Sequence, residues 1–151
     1  MGSLDTVSTS SRRSEYRLRR RVQFSEVDSA GIVHFSWYFR YMEEAEHALW
    51  RDAGLSIARP GSPVVFPRVA AAFEYHKPLR FEDEFEVHIQ IATISEKSMR
   101  YRCVLTRDET RIATGTTTIV CVVKQENGAM SATPFPPEIA ARFEIAAGAA
   151  T

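Results

Sequence analysis

Between Ser36 and Ala53 the chain reads SWYFRYMEEAEHALWRDA. Trp37, Tyr38, Tyr41, Met42, Ala45, Ala48 and Leu49 recur at the i, i+4, i+8 spacing of one helix face. Arg40, Glu43, Glu44, Glu46, Arg51 and Asp52 take much of the remaining circumference and read as its wet side. Ser36 reads as the N-cap and Gly54 as a left-handed C-terminal stop. About 17 residues of helix would span roughly 25 Å. Three large aromatic rings on one face make this helix a core element that needs a broad apolar surface to cover it.

The flanking sequence supplies such a surface as strands. Leu18, Val22 and Phe24 alternate with Arg17, Arg19, Arg21 and Gln23, a strand with one solvated face. Arg12, Arg13, Arg17, Arg19, Arg20 and Arg21 together read as that solvated charge run. After Pro60, Gly61 and Pro63, the Val64 to Tyr75 stretch is a strand candidate with Pro67 marking an edge or bulge. Phe85, Val87, Ile89 and Ile91 alternate with Glu84, Glu86, His88 and Gln90, and Met99, Tyr101, Cys103 and Leu105 alternate with Arg100, Arg102 and Thr106. Arg107 to Thr110 is a tight connection into the β-branched run Ile112–Lys124, which predicts a central strand. Gly115 among its threonines marks a bulge or a close strand contact. Pro136 and Pro137 open a short helix, and the terminal AAGAAT reads as frayed. Strand, long helix, then successive antiparallel-type strands is an α+β order, and the missing βαβ alternation excludes a doubly wound sheet. The expected architecture is an antiparallel sheet wrapped around one long central helix.

A chain of 151 residues fits one domain, expected over residues 16–147 behind a polar, Ser/Thr-rich disordered leader at 1–15. Nineteen basic residues balance nineteen acidic ones. That balance argues against a nucleic-acid or membrane-surface protein, both of which favour a basic excess. No apolar run reaches the roughly 18 residues a membrane span needs. Cys103 and Cys121 lie in apolar strand-like runs without CxxC spacing, as expected of buried thiols in a reducing cytoplasm, and they exclude a structural zinc site. Glu43 and His47 sit one helical turn apart with no third ligand at a helpful spacing, so the expectation is an ordinary helix contact and no metal. No GxSxG, GxGxxG or Walker pattern is present.

The segment between first strand and helix, Phe24-Ser25-Glu26-Val27-Asp28-Ser29-Ala30-Gly31-Ile32-Val33-His34-Phe35, is where chemistry could sit. A helix start offers unpaired N–H groups and the positive end of the dipole, suited to a developing oxyanion. A carboxylate beside such donors can attack an acyl carbon or activate a water. Read from the residues alone, an Asp at such a position is most often an Asx-turn or cap residue.

VDSAGIVHFSWYFRYMEEA closely resembles the signature of the hotdog-fold acyl-CoA thioesterases of the 4-hydroxybenzoyl-CoA thioesterase family. Tyr75-His76-Lys77-Pro78-Leu79-Arg80-Phe81-Glu82-Asp83 resembles that family's second marker, and the likeness spans about residues 16–124. The resemblance implies a hotdog fold and hydrolysis of an acyl-CoA thioester to free acid and CoA, with CoA entering as part of the substrate and no further cofactor. It implies that Asp28 is the catalytic carboxylate, as nucleophile or general base, and that the Phe35 backbone amide polarises the thioester carbonyl. Gly31, Val33, His34 and Tyr38 would line the acyl site; His34 reads equally as a hydrogen-bonded structural residue. In the branch that handles short aliphatic or carrier-linked acyl groups, a His usually stands at the position of Phe35. Here the His is one residue earlier, which favours an aryl or bulky acyl group. Ser95-Glu96-Lys97-Ser98 resembles the turn that contacts CoA, which points to Lys97 and Ser98, ahead of Arg68, Lys77 and Arg80; a plain solvated turn is the other reading. The rivals are a thioesterase acting on acyl carrier protein and a non-catalytic acyl-CoA-binding hotdog protein. A lone sheet of this kind has open edges, so the expected assembly is a homodimer or homotetramer.

Overall fold

A computed structural model describes residues 12–149. It runs β1 (Glu15–Arg21), a 3-10 turn (Phe24–Glu26), α1 (Trp37–Asp52), β2 (Val64–Val65), β3 (Arg68–Tyr75), β4 (Glu84–Ile94), β5 (Ser98–Arg107), β6 (Thr110–Val120), β7 (Val122–Lys124), β8 (Met130–Ala132) and α2 (Pro137–Ala140). Five strands form one sheet in the order β1-β4-β5-β6-β3, antiparallel throughout. β2, β7 and β8 form a second, small sheet.

Alternation explains the central strands. Phe85, Val87, Ile89 and Ile91 of β4, and Met99, Tyr101, Cys103 and Leu105 of β5, are all buried. They face α1, whose Tyr41, Ala45, Leu49 and Trp50 are fully enclosed. Full burial of a large apolar side chain is worth about 1.5–3 kcal/mol, so this face holds the sheet to the helix. Trp50 donates its indole N–H to the Tyr101 hydroxyl at 2.9 Å, which satisfies the polar atoms of two buried rings. Gly115 answers a close contact: a Cβ there would stand 2.7 Å from the Phe73 ring, which packs edge-on against Phe39 under the start of the helix.

Several expectations needed correction. The Val64–Tyr75 run splits at Pro67, which has no N–H for a ladder, although its carbonyl accepts the Val120 N–H (3.1 Å). Ile112–Lys124 splits at Cys121, whose N–H turns to the Lys97 carbonyl (2.8 Å) and sends β7 into the second sheet; β6 is central as expected. Phe24 lies in the 3-10 turn with its ring exposed rather than ending the first strand. Arg20 and Glu46, both read as wet, point inward and are ion-paired. The tail is not frayed as far as Ala149: the Ala146 N–H bonds the Ile91 carbonyl (2.9 Å), and Ala146 and Ala149 pack on Ala92. Of the expected leader, residues 1–11 lie outside the described residues, but Arg13 bonds the Arg142 carbonyl and Glu15 opens β1.

Candidate active site

The loop between β1 and α1 is fastened at Glu26, a carboxylate 1% exposed. Its oxygens accept from Arg20 Nη1 (2.8 Å) and Nη2 (2.6 Å), the Gln23 N–H (2.9 Å) and the Tyr41 hydroxyl (2.7 Å). Burial pushes this carboxyl up, but the bonds from Arg20, Gln23 and Tyr41 outweigh burial and hold it below its ordinary value. Arg20 also reaches Glu44 of the helix (2.7 Å), so strand, turn and helix are tied at one point.

From that anchor the chain makes a tight turn. Asp28 N–H bonds the Ile32 carbonyl (2.8 Å), and Gly31 N–H bonds the Asp28 carbonyl (3.0 Å). Gly31 sits at φ +82°, a conformation that side chains rarely adopt. Asp28 Oδ1 accepts from the Ala30 N–H at 2.8 Å and, weakly, from Ile32 at 3.4 Å. Both bonds fall on Oδ1, and no group among the described residues bonds Oδ2. Asp28 is therefore an Asx-turn residue with one oxygen still available.

The next residues are pinned in succession. Val33 N–H bonds the Leu79 carbonyl (2.8 Å), His34 N–H the Glu26 carbonyl (2.9 Å), and Trp37 N–H the His34 carbonyl (2.9 Å). Ser36 does not cap the helix with its side chain; its N–H donates to His34 Nδ1 (3.3 Å) and its hydroxyl lies 2.8 Å from the same nitrogen. Among the described residues, no acceptor takes the N–H of Phe35.

A cleft of about 420 Å³ opens here, within the range of small-ligand sites. It brings together Asp28, Val33, Phe35, Tyr38 and Tyr75, with the His76–Pro78 segment as its far wall. Burial, against a smaller opposing bond from the Leu79 backbone, pushes the Tyr38 phenol up to about 12, so it stays neutral. Tyr75, which stands in the second motif without a role assigned by it, meets Tyr38 edge-on at 4.8 Å. Its position two residues beyond Phe73 on one strand was the available clue, since i and i+2 share a face. Gly31 shapes the turn, and His34 stacks on Phe35 (4.6 Å) outside the cleft lining. Lys97 and Ser98 are not brought to it. They sit where β5 meets Val120 and Pro67, whereas Tyr75 pairs with Ala113 opposite Leu105 at the other end, about 23 Å of strand away. Lys77 is the cation at the cleft. Arg68 is bound to Glu46 (2.7 Å) and Glu43 (3.6 Å), which also accounts for Glu43 of the Glu43/His47 pair.

Residues 22–143 match the model of the thioesterase-like superfamily. The chain belongs to that superfamily. A putative esterase of Aquifex aeolicus is 38% identical over 119 residues, covering 77% of this chain and 89% of that protein. A 1,4-dihydroxy-2-naphthoyl-CoA hydrolase of Synechococcus elongatus is 24% identical over 137 residues, covering 89% of this chain and 98% of its own length. The solved structure of a gentisyl-coenzyme A thioesterase superposes with a TM-score of 0.74 at 25% identity, over 83% of this chain and 99% of that one. The sheet curled about one long helix is thus the hotdog fold of these thioesterase-like proteins. No helix among the described residues is long and apolar enough to cross a membrane.

Proposed function

We propose that the protein hydrolyses the thioester of an aromatic or similarly bulky acyl-CoA. The observation that carries this is the juxtaposition, in one cleft, of an Asp28 carboxylate with a free oxygen and a Phe35 amide with no acceptor at the start of a helix. The thioester carbonyl oxygen takes the Phe35 N–H, where the nearby positive end of the helix dipole favours negative charge. Asp28 Oδ2 adds to the carbonyl carbon, or removes a proton from a water that adds. The C–S bond breaks and CoA leaves as thiolate, which is protonated; where Asp28 attacked, a water then cleaves the acyl–Asp28 anhydride and restores the carboxylate, so that by either route the products are the carboxylic acid and CoA. An aromatic acyl group is supported by the rings of Phe35, Tyr38 and Tyr75 around the cleft. The naphthoyl and gentisyl groups named for two relatives are also aromatic. No cofactor beyond the CoA of the substrate is required by this chemistry, and Lys77, a cation lining the cleft, supports a contact with its phosphates in this reading.

The working unit is at least a dimer. β3 is an edge strand whose outer backbone lies unpaired among the described residues, and Val69 on it is 61% exposed. Antiparallel pairing with a second β3 would lay the Arg68 end of one copy beside the Tyr75 end of the other. That would carry the partner copy's Lys97–Ser98 turn toward this cleft, where those two residues could serve as CoA contacts. The buried, unpaired Cys103 and Cys121 suit a cytoplasmic setting.

The test is a hydrolysis screen of benzoyl-, gentisyl-, 1,4-dihydroxy-2-naphthoyl-, short- and long-chain acyl-CoAs and carrier-linked acyl groups, run beside Asp28→Asn. Turnover should be highest with the aryl-CoAs and fall by about 10²–10⁴-fold in the variant. CoA binding without hydrolysis, or parental turnover in Asp28→Asn, overturns the reading.

A further inference from the structure

Four backbone groups surround the Phe35 amide, and each is held. The N–H of His34 is taken by Glu26, its carbonyl by Trp37, and the Ser36 N–H by His34 Nδ1. The fourth, the Phe35 carbonyl, accepts the Tyr75 hydroxyl at 3.0 Å. Three of these ties come from the 3-10 turn, the strand-to-helix loop and the first residue of α1. Only the fourth comes from the five-stranded sheet. The Phe35 side chain adds little restraint, being 62% exposed and touching the His34 ring.

The Tyr75 hydroxyl is aimed by packing. Its ring meets Tyr38 edge-on and stacks with Phe73 at 6.2 Å, and the Phe73 ring fills the space that Gly115 leaves open. Partial burial raises the Tyr75 phenol, so the group remains a protonated donor at neutral pH.

We infer that Tyr75 is a positioning residue: by fixing the Phe35–Ser36 peptide from the edge strand, it fixes the direction of the neighbouring Phe35 N–H toward the reacting carbonyl. The inference rests on the thioesterase reading above, because an amide matters this way only if it binds an oxyanion. An oxyanion donor acts through preorganisation, so a hydroxyl that orients it should change the transition state more than the bound substrate.

Tyr75→Phe removes the hydroxyl and keeps the ring. With the best aryl-CoA of the screen, kcat should fall about tenfold while KM stays within about twofold and the melting temperature within about 2 °C. In the unliganded protein, the Phe35 and Ser36 amide resonances should shift and the Phe35 N–H should exchange faster with solvent. Parental kcat in Tyr75→Phe beside an inactive Asp28→Asn overturns the role of Tyr75 and leaves the thioesterase reading standing. A rise in KM alone makes Tyr75 a substrate contact and also overturns it. If Asp28→Asn keeps parental turnover, the thioesterase reading falls, and unchanged amide resonances in Tyr75→Phe then remove the positioning role as well.

Discussion

Replacing Glu26 by Gln tests the anchor on which the candidate site is built. Glutamine keeps one acceptor oxygen for Gln23 and Tyr41, but its NH₂ faces Arg20 Nη2 where Glu26 Oε2 accepted at 2.6 Å. Breaking a buried ion pair costs about 3–5 kcal/mol. Arg20 keeps Glu44 at 2.7 Å, which places the cost at the lower end, about 3 kcal/mol. Unfolding entropy of about 2.1 cal/mol/K per residue amounts to about 0.3 kcal/mol/K for this chain, so Tm should drop by about 10 °C. The loss also has a pH signature. The folded Glu26 carboxyl lies below its ordinary value near 4.5, net of the burial that opposes this. Its stabilisation is therefore complete above pH 4.5 and is lost as pH falls through the folded pKa. Thermal melts followed by circular dichroism from pH 7 to pH 3 should show the gap between parent and variant narrowing below pH 4.5. A gap under 3 °C at pH 7, or one unchanged across that range, refutes the reasoning.

Two further outcomes follow from the packing and the edge. Gly115→Ala puts a methyl 2.7 Å from the half-buried Phe73 ring and should cost about 1–3 kcal/mol, read as a Tm loss of several degrees that Phe73→Leu largely restores; a parental melt contradicts the close contact. Val69→Asp places a charge on the exposed edge strand and should move the light-scattering mass toward the 17.1 kDa of one chain, with aryl-CoA turnover falling alongside; an unchanged mass rules out pairing through β3.

Periodicity made the helix and the two central strands legible, because Phe85 to Ile91 and Met99 to Leu105 repeat every second residue and each buried position faces α1. The motif around Asp28 located the cleft, since strand end, turn and helix start are consecutive in the chain. What local pattern could not carry was pairing at long range. Glu46 looks solvated on a helical wheel, and only the fold brings Arg68 within 2.7 Å of it. Arg20 shares the strand parity of Leu18 and Val22, so its inward turn follows from the alternation, but its buried partner Glu26 does not. Pro67 marked the irregularity at the start of β3, which is an edge strand, but the break at Cys121 depends on which carbonyl its N–H meets, and Tyr75 acquires a partner only when β3 ends beside the helix start.

The two readings of Asp28, turn-former and catalytic carboxylate, do not compete, because they use different oxygens. Oδ1 accepts the Ala30 and Ile32 amides and shapes the turn, while Oδ2 is left for the acyl carbon or a water. The division predicts a dissociation between stability and turnover. Asn keeps a carbonyl oxygen that can accept from Ala30, so Asp28→Asn should melt within about 1 °C of the parent while losing turnover. Asp28→Ala loses the turn bonds as well, a cost of about 1 kcal/mol by analogy with a lost cap, or about 3 °C in Tm for a chain of this size. Both variants should be equally inactive in aryl-CoA hydrolysis. If Asp28→Ala melted like the parent, the Oδ1 bonds would hold nothing. If Asp28→Asn lost stability as Asp28→Ala does, its inactivity would reflect a collapsed turn, and the assignment of chemistry to the second oxygen would have no support.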